Sequence, residues 1–337
     1  MPALVRWFLL LALLVGPGCT ANDPAPPAES VAQTPSSPAP PSATPVTVGI
    51  FQIADHPALD ALRDGFKDEL GTNSRLAVTY DYMNAGGDGA RIETIATHFA
   101  ASKPALVYTI GTTTAQALKA KAPDQRLLLA AATDPVAAGL VADWAVPGGP
   151  ITGTTDLPDV TRQLALLKTF VPAARRIGVI YNSGEDNSNA AVALLKRTAG
   201  PLGYTVVERT VGSPADVTAA ATSLVGEIDT LYVPPDNTMQ SALDAALRVA
   251  DDAKIPVFNC DRSSVERGAL FSVGVDYRDI GKVSAQLAGR VLLGEDPAAI
   301  PIAFGSPLAF LSAAAAATHG VDVEAVRAQV DEVVQAP

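Results

Sequence analysis

Residues 232–282 read YVPPDNTMQSALDAALRVADDAKIPVFNCDRSSVERGALFSVGVDYRDIGK. A short β-rich run, Leu231-Tyr232-Val233, ends in a turn carrying Asp236-Asn237-Thr238. A helical pattern follows, and a second β-run, Ile255-Pro256-Val257-Phe258, ends at Asp261. Two successive strands thus bring carboxylates and amides to one sheet edge. In an open parallel sheet the edge outside the carboxyl ends of the strands is where ligands bind, so the stretch reads as one wall of a cleft.

The same alternation runs outward from there. Strand-like runs over 48–53, 77–82, 105–110, 127–131 and 151–153 are interleaved with helical patterns over 57–70 and 90–101. After Thr155 the series restarts, with helices over 160–170, 188–202 and 215–225 and strands over 176–181 and 205–208. Strands alternating with helices of this length mean βαβ units and parallel sheets. Two such series predict an α/β chain of two doubly wound parallel-sheet lobes.

Composition agrees and removes several classes. The chain has 337 residues, 48% of them apolar and 18% charged, enough for a full core and two domains. Its net charge of −11, with Lys and Arg scattered, excludes nucleic-acid binding, which needs clustered cations. Only Cys19 and Cys260 are present, so there is no disulfide framework. Arg6 followed by an apolar run over 7–15, too short to span a bilayer, fits a secretory signal peptide over residues 1–19. Gly18-Cys19 resembles the cleavage site of bacterial lipoproteins, in which the cysteine is lipidated, although Gly16 and Pro17 depart from the usual residues; the other reading is an ordinary secretory signal. Residues 20–45 are a Pro/Ser/Ala tract with no aromatic, predicting a disordered tether.

Most loops leaving the strands carry small polar residues. They are Gln52 and His56, Asn84, Gly111-Thr112-Thr113-Thr114, and Thr133-Asp134-Pro135 in the first lobe. Tyr181-Asn182 with Glu185, Asn187 and Ser188, then Asp236-Asn237-Thr238 and Asp261, follow in the second. Thr112, Thr113 and Thr114 open a helix, where hydroxyls either cap free N–H groups or join them in holding a carboxylate. Asp236 and Asp261 are either helix caps or acceptors for a ligand ammonium. Phe51, Tyr82, Tyr181, Phe258 and Tyr277 fall beside strand ends, and at most two of them are expected to touch a ligand, the rest being core. Catalysis has little support: His56, His98 and His319 lie on separate elements without a neighbouring nucleophile. Gly86-Gly87-Asp88-Gly89 lacks the spacing of a phosphate loop, Glu185-Asp186-Asn187 lacks that of an EF-hand, and Cys260 reads as a half-buried strand-end residue. Neither metal nor cofactor is expected.

In order along the chain stand VGIFQIADHPALDALRDGFKDEL, TDPVAAGLV at 133–141, ITGTTD at 151–156, VIYNSGEDNS at 179–188, YVPPDNT at 232–238, KIPVF at 254–258 and GALFSVGVDYRDIGK at 268–282. Together they resemble the substrate-binding proteins of ABC importers, in the branch that includes tryptophan- and tyrosine-type binding proteins. The resemblance implies a type I periplasmic-binding-protein fold. Lobe 1 would be 46–156 with 277–303 and lobe 2 would be 157–276 with 304–337, the last segment returning a helical piece over 311–334. It further implies hinge closure around a small molecule, most readily an aromatic amino acid, its carboxylate at Thr113, Thr114, Asn187 and Ser188, its ammonium at Asp236, Asp261, Asn237 and Asn182. The expected setting is a lipid-anchored extracytoplasmic monomer, not an enzyme, delivering to a permease. The alternative is a sensor subunit presenting the same kind of ligand to a signalling receptor.

Overall fold

The computed structural model describes residues 43–335. The signal peptide, Cys19 and nearly all of the tether lie outside them. From the start the order is β1 (Thr44–Gln52), α1 (Pro57–Gly71), β2 (Leu76–Asn84), α2 (Gly89–Ser102), β3 (Leu106–Ile110), α3 (Thr112–Lys121), β4 (Leu127–Ala130) and β5 (Ile151–Thr155). Then come α4 (Val160–Phe170), β6 (Arg176–Tyr181), α5 (Asp186–Ala199), β7 (Thr205–Thr210), α6 (Val217–Leu224) and β8 (Thr230–Val233). They are followed by α7 (Asn237–Ser241), α8 (Leu243–Asp252), β9 (Val257–Asp261), α9 (Arg262–Glu266) and β10 (Phe271–Val275). The chain ends with α10 (Tyr277–Leu292), β11 (Ala303–Phe304), β12 (Leu308–Ser312), α11 (Ala313–His319), α12 (Val323–Val326) and β13 (Glu332–Val334).

The elements form two sheets. One has the order β11-β5-β4-β3-β1-β2 and the other β13-β12-β10-β9-β8-β6-β7. Pairings are parallel except β10 with β12. Strands covered on both faces need apolar side chains in both directions, and β3 (LVYTI), β4 (LLLA) and β8 (TLYV) are buried at every position. The first sheet's core takes in Tyr277, Ile280, Leu287, Ala288 and Val291 of α10, so this late helix packs with α1 rather than beside its neighbours in sequence. The second sheet carries one core on each face.

Two expectations shift. The run at Ile255 begins its strand only at Val257: Pro256 has no N–H to donate, while its carbonyl accepts from Leu231 N. The segment over 311–334 is not one helical piece. Leu308–Ser312 and Glu332–Val334 are strands, and Gly320, left-handed at φ 71°, stops the alanine-rich helix α11 after about two turns.

In both sheets the chain reverses its direction of growth once, between β1 and β3 and between β6 and β8. Such switch points leave a crevice at the carboxyl edge, because neighbouring connections turn to opposite faces. The residues after β1, β3, β6 and β8 are His56, Thr112, Asn187 and Asp236. All four border one cavity.

Candidate functional site

The cavity is narrow: of about 330 Å3 of empty space, open solvent included, about 20 Å3 admits a water-sized molecule. His56, Leu59, Gly111, Thr112, Ala131, Thr133, Asp156 and Tyr277 line it from the first lobe. Asn187, Pro235, Asp236, Asn237 and Gln240 line it from the second. The lobes touch across it: His56 Nε2 is 3.5 Å from Asn237 Oδ1, and Gln116 Nε2 donates to Asp186 Oδ2 at 2.7 Å. Burial lowers the His56 pKa, so the imidazole is neutral there.

Helix capping shows what the cavity is built to receive. Asp88, Asp159, Asp236, Asp261 and Asp276 cap α2, α4, α7, α9 and α10 with their side chains. The helices that open onto the cavity from β1, β3 and β6 have no side-chain cap, their N-cap residues being His56, Gly111 and Glu185. Gly111 is held at φ 107°, and a Cβ there would come within 2.7 Å of Ile53 Cγ2, so glycine alone fits. First-turn N–H groups of α3 and α5 are left for another partner. Two side-chain atoms lack one as well: Thr112 Oγ1 and Asn187 Oδ1, on residues 1% and 5% exposed. One is a hydroxyl able to donate, the other a carbonyl able only to accept.

The carboxyls around the cavity are held by specific donors. Asp156 Oδ1 accepts from Thr133 Oγ1 and Oδ2 from Tyr277 OH, both at 2.7 Å, and burial raises its pKa to about 6. Asp236 accepts from Met239 N at 2.6 Å and Asn182 N at 2.5 Å. Burial, and then the charge of Glu185, raise its pKa. Glu185 is itself buried and ties α5 to α7. It accepts from Asn237 N at 3.1 Å, Asn237 Nδ2 at 2.6 Å, Thr238 N at 3.0 Å, Thr238 Oγ1 at 2.8 Å and Asn187 Nδ2 at 3.2 Å.

Of the residues singled out in the sequence, His56, Gly111, Thr112, Thr133, Asn187, Asp236, Asn237 and Tyr277 border the cavity. The others do not. Thr114 turns its hydroxyl back to Gly111 O at 2.7 Å, and Thr113, one position round the helix, is half-buried outside the lining. Asp261 caps α9 and reaches the cavity only through Gln240, whose Nε2 donates to it at 3.0 Å. Asn182 is spent on Thr238 Oγ1 and Gly184 N, and Ser188 lies behind Asn187. Asp134 receives Ala137 N in a turn, Asn84 binds Asp55 and Gly86 N, and Gln52 is enclosed by Ala54, Asp60, Arg63 and Tyr82. Tyr181 points to Glu208 at 3.0 Å, Tyr82 is 43% exposed, and Phe51 and Phe258 are core, leaving Tyr277 as the one named aromatic in the lining. Cys260 is fully buried rather than half-buried. Asp156, Leu59 and Gln240 were not anticipated as lining. A larger groove between α8, α9 and α11 sits on the outer face of lobe 2, away from these groups.

Two α/β lobes closing on a small polar cavity define a cleft receptor for a small solute. The chain matches the family model of ABC transporter substrate binding proteins over residues 47–334, and it belongs to that family. It is 38% identical over 258 residues to the tyrosine-binding protein of Clostridioides difficile, covering 76% of this chain and 75% of that one. Among solved structures, an ABC domain in complex with L-Trp from Streptococcus pneumonia superposes with TM-score 0.83 at 30% identity, covering 86% of this chain and 100% of that one. The ligand-free, open form of a Clostridium difficile substrate binding protein reaches only 0.66 at 35% identity, covering 87% and 100%. The chain thus superposes more closely on the liganded relative than on the open one. Family members act outside the cytoplasm as the solute-binding components of ABC transporters, a non-enzymatic class. Among the described residues no helix is long and apolar enough to cross a membrane.

Proposed function

We propose that this chain captures a zwitterionic α-amino acid with an aromatic side chain, closes its lobes over it and delivers it to an ABC permease without chemical change. The observation that carries the reading is the pair of unpartnered atoms from opposite lobes, Thr112 Oγ1 and Asn187 Oδ1, at two uncapped helix starts. A carboxylate satisfies the hydroxyl and the first-turn N–H groups of α3, favoured by the helix dipole. An ammonium satisfies Asn187 Oδ1 and the neighbouring Asp236. Each lobe thus reads one charge, so closing requires both. The relatives' ligands, tyrosine and L-Trp by name, support the aromatic side chain. In this reading 46–156 with 277–303 and 157–276 with 304–337 are the closing halves. The chain works as a monomer tethered through lipidated Cys19.

A thermal-shift screen of the twenty amino acids with sugars and purines tests this, since a ligand binding only the folded state raises Tm. Aromatic amino acids are expected to raise it; a response to a sugar or purine alone would sink the proposal. Acidity supplies a second check. Burial and then the nearby Glu185 charge raise the pKa of Asp236, the carboxyl that takes the ammonium, so it loses its charge on mild acidification. The ammonium needs the ionised form, and affinity therefore holds above neutrality and falls as pH drops, about tenfold per unit below the carboxyl pKa. Titration calorimetry at pH 8 and pH 5 is expected to show at least a tenfold weakening at the lower value.

A further inference from the structure

The cavity is charged on one side of the ledger only. Asp156 and Asp236 both border it, and among the described residues no lysine or arginine does. One ligand ammonium matches one carboxylate, which leaves the other to be accounted for.

Position separates the two. Asp236 shares the wall of Asn187, whose Nδ2 donates to Pro235 O at 2.8 Å, next to the unpartnered Asn187 Oδ1. Asp156 follows β5, while Thr112 follows β3, and β4 lies between them. Two strand spacings put Asp156 about 10 Å along the sheet edge from Thr112. An α-carboxylate and its own α-ammonium are neighbours and cannot bridge that distance, whereas a carboxylate and the far end of an aromatic side chain can. Asp156 is also the less committed carboxyl. Each of its oxygens takes a single hydroxyl, from Thr133 and Tyr277, and keeps a lone pair free.

We propose that Asp156 determines specificity by accepting a hydrogen bond from a donor at the tip of the ligand's side chain, a phenol hydroxyl or an indole N–H. This rests on the amino-acid reading above. An apolar ring tip would leave the buried carboxylate facing carbon, and a site built to pair a donor rejects the analogue that lacks it. Because Thr133 and Tyr277 already satisfy part of the carboxyl, the discrimination is that of one charged hydrogen bond, about 10- to 150-fold.

Calorimetry of the native protein with L-tyrosine, L-tryptophan and L-phenylalanine tests it, with Asp156→Asn as the variant. At least one donor-bearing amino acid is expected to bind ten times or more tighter than phenylalanine. In the variant the preference shrinks to within about threefold. Equal affinity of all three for the native protein, or a preference that survives Asp156→Asn, overturns the assignment while leaving the amino-acid reading in place. Binding of none of the three removes that reading, and this one with it.

Discussion

Glu185→Ala is expected to cost at least a hundredfold in ligand affinity and to lower thermal stability as well. Glu185 touches no ligand in the proposed mode, yet its two oxygens collect the Asn237 and Thr238 backbone N–H groups and the Asn187 side chain. It acts as the N-terminal anchor of α7 from a different helix, holding α5 and α7 in register across the switch point of the second sheet. Removing it strands two backbone donors, each costing about 1–3 kcal/mol when buried and unpaired. A loss of this size lowers Tm by roughly 5–15 °C. Asn187 loses one of the acceptors that orient its free carbonyl, Pro235 O being another, which is why binding suffers as well as folding. Glu185→Gln keeps one acceptor and is expected to fall between the two. Differential scanning calorimetry with and without ligand separates the effects; a variant that is less stable but binds normally would show that Glu185 only braces the fold.

Gly274→Ala is the second large effect, and it acts on the frame. Gly274 lies in β10 beside an irregularity in its pairing with β9, between Ser272 and Val275, and an added Cβ would fall on the Cys260 carbonyl. No rotamer relieves a clash between a Cβ and backbone, so the strands must part, at about 3 kcal/mol or more. Gly71→Ala is the control, since nothing lies within 4 Å of a Cβ there. Thermal unfolding should drop by roughly 5–10 °C for the first and stay within a degree or so for the second. Equal midpoints would mean that β9 and β10 tolerate a wider spacing.

The fold was legible because the signals that set it are long-range averages. Runs such as LVYTI and LLLA are apolar in both directions, which only a doubly covered strand needs, and their alternation with amphipathic helices leaves little choice of topology. The lining of the cavity was legible to the loop but not to the residue. Thr112, Thr113 and Thr114 differ by steps of about 100° around a helix, and no composition or period says which hydroxyl faces the cleft. Asp236 and Asp261 looked alike in sequence, each ending a strand and opening a helix; packing puts the first against the cavity and the second behind Gln240. One signal was present and unused. The helices starting from Asp88, Asp159, Asp236, Asp261 and Asp276 carry their own caps, whereas those with His56, Gly111 and Glu185 at the N-cap do not, and these three bare starts open onto the cavity. Asp156 left no such mark, because its place depends on Tyr277, 121 residues later in the chain.

In the proposed mode the cleft reads both charges of a zwitterion. Titration calorimetry near pH 8 with L-tyrosine, tyramine and N-acetyl-L-tyrosine, or the tryptophan counterparts if the screen favours that ring, tests it most directly. Tyramine lacks the carboxylate meant for Thr112 and α3, and the acetylated compound lacks the ammonium meant for Asn187 and Asp236. Each is expected to bind at least about a hundredfold more weakly than the parent amino acid. Tyramine or N-acetyl-L-tyrosine binding within about threefold of tyrosine would contradict it.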